Sequence, residues 1–102
     1  MLLIRQGRRE TAAGRALIAD ELDYNAEVVN QYHEGGNIHG VMPQLTVAAW
    51  EAHGAKIHAL TDPELWRAVS TVYGDLRRTA ARGAVPPKGS ELAELARRLR
   101  DY

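Results

Sequence analysis

The chain has 102 residues, 45% apolar and 25% charged, a composition that excludes disordered, collagen-like and membrane-spanning classes and leaves room for one domain. Thirteen Lys and Arg balance thirteen Asp and Glu, so no global field gathers phosphate backbones or anionic lipid, and nucleic acid loses weight as a partner. With no cysteine there is neither a disulfide framework nor a thiolate metal site, which fits a reducing compartment and points to a cytoplasmic protein.

The N-terminal apolar run Leu2, Leu3, Ile4 is cut off by Arg5, Arg8 and Arg9, far short of the ~7 to 15 residues of a signal-peptide core. A membrane enters only if an N-terminal segment has been removed, leaving this run as its cytoplasmic edge. From Glu10 to Tyr32 the residues Ile18, Leu22, Asn25, Val29 and Tyr32 form one helical stripe, and the alanines around them favour a helix that can begin as early as Leu2. Gly35 and Gly36 stop it. Residues 39–44 read as an ordered connection packed through Ile38, Val41 and Met42. Thr46 offers an N-cap for a short helix to about Ala55, with Trp50 pointing inward.

Thr61 and Glu64 have capping-box spacing and Pro63 suits a first turn, so a long helix begins there, carries Leu65, Val69, Val72, Tyr73 and Leu76 inward, and stops at Gly83. Residues 84–89, with Pro86 and Pro87, read as the one linker. Ser90 then caps a last helix whose Leu92, Leu95 and Leu99 lie on one stripe. The expected fold is all-α, a single domain over residues 1–102 forming a small irregular four-helix bundle of two long and two short helices. In it the first and third helices pack antiparallel and the last is a cover or an arm.

Few residues point to chemistry. His33, His39, His53 and His58 are the only cluster of metal-ligand type, and their spacing matches no zinc pattern, so they stand as weak candidates and no cofactor is expected. Asp20, Glu21, Asp23, Glu27 and Glu34 read as the solvated face of the first helix. Asn25 sits on the apolar stripe and must find partners, because an unpaired buried amide costs about 1–3 kcal/mol; the reading is a bond across the bundle that fixes register. Arginines near both termini would make a basic patch if the ends meet.

Four segments, Glu21-Leu22-Asp23-Tyr24-Asn25, Thr46-Val47-Ala48-Ala49-Trp50-Glu51, Leu60-Thr61-Asp62-Pro63-Glu64-Leu65-Trp66 and Val72-Tyr73-Gly74-Asp75-Leu76, resemble a pattern of uncharacterised bacterial all-helical domains often found next to a membrane helix. The resemblance covers about residues 15 to 80 and implies a helical scaffold at the cytoplasmic face of a membrane, and no activity. The functional expectation is a noncatalytic protein-interaction or regulatory domain, with a protein partner or self-association through Leu92, Leu95 and Leu99. Its rivals are a nucleic-acid-binding regulator and a metal-dependent hydrolase using the histidines.

Overall fold

The computed structural model describes residues 2–35 and 44–102, with side chains from residue 12 onward except at residue 60. Four α-helices follow one another: α1 (Leu2–Gly35), α2 (Ala48–Ile57), α3 (Pro63–Arg82) and α4 (Gly89–Asp101), with a 3-10 turn, His58–Leu60, after α2 and no strand among the described residues. The fold is an all-α bundle of two long and two short helices. Its long dimension of 51 Å is that of α1, whose 34 residues rise about 1.5 Å each.

Contacts along the helices give the topology. Glu21 meets Ala49 and Trp50 while Gly14 lies against His53 and Ile57, so α2 runs antiparallel to α1. Likewise Asn30 meets Gly89, Asp20 meets Arg100 and Arg15 meets Tyr102, so α4 also runs antiparallel to α1. Glu51 pairs with Arg77 and Gly54 with Trp66, which sets α3 antiparallel to α2. The bundle is therefore up-down-up-down, with α1 and α3 parallel and diagonal across the core. That corrects the antiparallel pairing of these two helices read from their stripes. Stripes show which face is inward but not which neighbour covers it.

One core joins all four helices: Ile18, Leu22 and Val29 from α1, Ile57 from α2, Val69, Tyr73 and Leu76 from α3, and Leu92, Ala96 and Leu99 from α4. Of the two roles expected for α4, the structure excludes the arm: the helix packs on the body of the chain. Its whole apolar stripe, Leu92, Leu95 and Leu99, is buried against α1 and α3. Small residues let it approach α1: Ala19, Ala26 and Ala96 are buried at the seam, and a Cβ on Gly89 would run into Asn30 and lie 2.7 Å from the Ala26 carbonyl oxygen. The connection from Gly83 to Lys88 is anchored too, since Pro86 is buried.

Helix ends differ from the sequence reading by a residue or two, and each difference has a cause. Asp62, not Thr61, is the N-cap of α3; its carboxylate accepts the Leu65 amide at 3.0 Å with Pro63 in the first turn. The Thr61 hydroxyl is buried and makes no hydrogen bond among the described residues. Helix α4 starts at Gly89 with Lys88 in the cap position and no side-chain cap, so Ser90 does not cap it. At the far end of α3, Gly83 takes the left-handed conformation (φ 70°) and its amide bonds the Thr79 carbonyl, the stop expected of it. Ile38, His39, Val41 and Met42 lie outside the described residues, as do the side chains of Leu2 through Arg9.

Candidate functional site

The most heavily bonded side chain among the described residues is one that the sequence reading places in solvent. Glu21 is 8% exposed and its carboxylate receives four donors: the amides of Ala49 (2.9 Å) and Trp50 (3.2 Å), the Tyr73 phenol (2.8 Å) and the Thr46 hydroxyl (3.3 Å). The two amides belong to the first turn of α2, so Glu21 caps that helix from α1 in place of a local residue. Val47 holds the cap position and gives no side-chain bond; the Thr46 hydroxyl accepts only a long bond, 3.4 Å, from the Ala48 amide. Thr46 is thus an auxiliary to the cap and not the cap itself.

One turn further along α1, Asn25 is fully buried and grips the backbone of Thr46 with both ends of its amide. Its nitrogen donates to the Thr46 carbonyl at 2.8 Å, and its oxygen accepts the Thr46 amide at 3.1 Å. Glu21 and Asn25 together hold residues 46–50 by their main chain. A one-turn slip of α1 would break every one of these bonds. Glu21 stands four residues before Asn25, a spacing that puts both on one helical face, but nothing in the sequence sets it apart from the other carboxylates of α1.

Around the clasp lies an aromatic row. Trp50 stacks on Tyr73 with centroids 5.0 Å apart and planes 9° from parallel, Trp66 tilts against Trp50 at 5.6 Å, and His58 meets Trp66 edge-on at 4.4 Å. The His58 amide bonds the Ala55 carbonyl as α2 tightens into its 3-10 turn, and the Gly54 carbonyl accepts the Trp66 indole N–H at 2.8 Å. Burial, and then the Glu21 carboxylate, push ionisation of the Tyr73 phenol far above its ordinary range, so it stays a donor. Residues from all four quoted sequence segments converge here: Glu21 and Asn25, Thr46 and Trp50, Trp66, and Tyr73.

The described histidines do not converge. His33 is exposed beside Tyr32, His53 sits half-buried against Gly14, His58 is exposed on Trp66, and His39 lies outside the described residues. No group of three metal-ligating side chains comes together among the described residues. Of the described terminal arginines, Arg97 and Arg100 are drawn into ion pairs. Arg100 reaches Asp20 (2.7 Å) and Asp23 (2.5 Å) across the α1–α4 seam, and its own charge is favoured by those two carboxylates. Arg97 spans Glu94 and Asp101 on its own helix, and Arg15 lies over the Tyr102 ring. Arg77 and Arg78 on α3 likewise meet Glu51 and Asp75.

One concavity stands out on the surface: an open groove of about 800 Å³ between α3 and α4. Its floor is Ala68, Val72 and Leu95, and its walls carry Glu64, Arg67, Glu91 and Glu94. Of the stripe read as an interaction surface, only Leu95 borders this groove, from the floor; Leu92 and Leu99 face the core and present nothing outward. No helix among the described residues is long and apolar enough to cross a membrane. No protein-family model, no curated protein and no solved structure matches the chain.

Proposed function

We propose that this chain is a noncatalytic protein-interaction domain that presents the α3–α4 groove to a partner. The observation that carries the reading is the groove itself, about 800 Å³ with an apolar floor open to solvent between two helices of the body. The polar interior supports it from the other side. Glu21 and Tyr73, the buried ionisable pair that would draw attention in an enzyme, are both engaged in holding α2 to α1 and α3, and they border no part of that groove.

A photo-crosslinking amino acid in place of Ser90, on the groove wall, and at exposed Glu34, away from it, tests the reading in cells producing the full chain. The Ser90 position should give one discrete protein adduct that the Glu34 position does not give and that Thr71→Trp, which fills the groove, abolishes. Equal adducts from both positions, or adducts indifferent to Thr71→Trp, would remove the groove as the interaction surface.

A further inference from the structure

The groove has a charge of its own in a chain whose formal charge is zero. Its lining holds three carboxylates, Glu64, Glu91 and Glu94, against the single guanidinium of Arg67. Glu94 is answered by Arg97, which holds its carboxyl below the usual carboxylate range. Glu64 and Glu91 form no ion pair among the described residues. Both stand in the first turn of a helix, where an acid favourably meets the dipole. That accounts for an acid at each position. It does not account for two acids outside any ion pair on opposite walls of one apolar groove, where Arg67 alone carries the opposite charge.

Shape and charge together narrow the occupant. The α3 wall runs from Glu64 to Thr71, roughly 10 Å or two helical turns, and a cleft between two antiparallel helices is the geometry a third helix fills by its ridges. Nucleic acid and anionic lipid headgroups would meet like charge there. An isologous contact with a second copy would set the same carboxylates against each other. A cationic helix meets neither obstacle.

We propose that the α3–α4 groove docks a basic amphipathic helix of a partner protein, with Leu or Ile side chains spaced three or four apart on Ala68, Val72 and Leu95 and Lys or Arg side chains reaching Glu64 and Glu91. This rests on the groove being the interaction surface and adds the chemistry of the occupant.

The test titrates the isotopically labelled full chain with two synthetic helical peptides of one leucine pattern, the flanking positions all lysine in one and all glutamate in the other, and follows backbone amide shifts. The lysine peptide should bind saturably and shift the groove-lining residues, and the glutamate peptide at least about tenfold more weakly. Glu64→Lys with Glu91→Lys should weaken the lysine peptide about tenfold or more, as should raising salt from about 50 to 500 mM. Because the reversals also touch helix dipoles, Glu91→Gln alone should give a smaller loss in the same direction with cooperative unfolding intact.

Peptides that bind equally well, or binding indifferent to the charge reversals, would overturn the basic occupant while leaving the groove as an interaction surface. Lysine-peptide shifts that fall elsewhere overturn the proposal too. Self-association in sedimentation velocity that Thr71→Trp disperses would put a second copy in the groove and likewise overturn it.

Discussion

Helix α1 is flanked by two neighbours that it holds in opposite ways. Toward α2 the seam is polar: Glu21 and Asn25 bind the main chain of residues 46–50, and α2 itself is short and only weakly amphipathic. Toward α4 the buried part of the seam is apolar and close, built on Gly89, Ala26, Ala19 and Ala96 with Leu92 and Leu99 filling the core, and the Arg100 ion pairs lie at its exposed edge. Hydrogen bonds are directional, so the α2 seam sets a register; packing is not, so the α4 seam sets a distance. A ten-residue helix is marginal alone in water, which explains why α2 needs its amides satisfied from outside.

The sharpest way to break the comparison is to delete from each seam. Glu21→Ala leaves two amides and a phenol without their acceptor and should cost about 3–5 kcal/mol, with loss of α2 before the rest. Leu92→Ala removes only volume and should cost about 2–4 kcal/mol in one cooperative transition. Urea unfolding followed by Trp50 and Trp66 fluorescence and by circular dichroism separates the two: the probes should part company for Glu21→Ala and coincide for Leu92→Ala. Coincidence in both would mean that the seams do not differ as described.

Next in size is Tyr73→Phe, which should cost about 1.5–3 kcal/mol near neutral pH because the lost bond is to a carboxylate. Its pH dependence is more telling. In the unfolded chain the phenol ionises near pH 10, whereas in the folded chain burial and Glu21 keep it protonated well beyond that. Above about pH 10 the unfolded state therefore binds fewer protons, and Tyr73 should contribute a fall in stability of up to about 1.4 kcal/mol per pH unit. The stabilisation is complete below pH 10 and lost as pH rises. Subtracting the Tyr73→Phe profile from that of the parent isolates it, and parallel profiles would place the phenol in contact with water.

The start of α3 gives a smaller contrast. Asp62→Ala should lose about 1 kcal/mol, while Thr61→Val should be neutral or gain up to about 1 kcal/mol, because the buried hydroxyl it removes has no partner among the described residues. A loss at Thr61 and none at Asp62 would restore the capping box read from the sequence. Least of all should follow from Arg100→Ala: its pairs with Asp20 and Asp23 are substantially exposed, so any change in Tm should be roughly a degree or two and vanish at about 1 M salt.

How much of this was legible beforehand depended on range. The stripe Leu65, Val69, Val72 and Leu76 names its own inward face, and Gly83 names its own stop, because both are local consequences of helical period and backbone conformation. Asn25 identified itself by being polar on an apolar stripe. Glu21 did not, since a carboxylate among carboxylates reads as solvated until something supplies donors to it. Those donors are amides 28 and 29 residues away and a phenol 52 residues away. The groove was equally hidden, because Ala68 and Val72 on one helix and Leu95 on another become a floor only when α3 and α4 lie side by side.

Period, caps and breakers act within a few residues of chain, so the four helices, their approximate limits and the inward face of most of them could be read from the residues alone. Tertiary structure alone decided that α1 and α3 run parallel, that α4 is core rather than arm, and that Glu21 caps a helix it does not belong to. Each of those rests on groups far apart in the chain being brought within hydrogen-bond or van der Waals reach, a matter of closure and packing that no local pattern encodes.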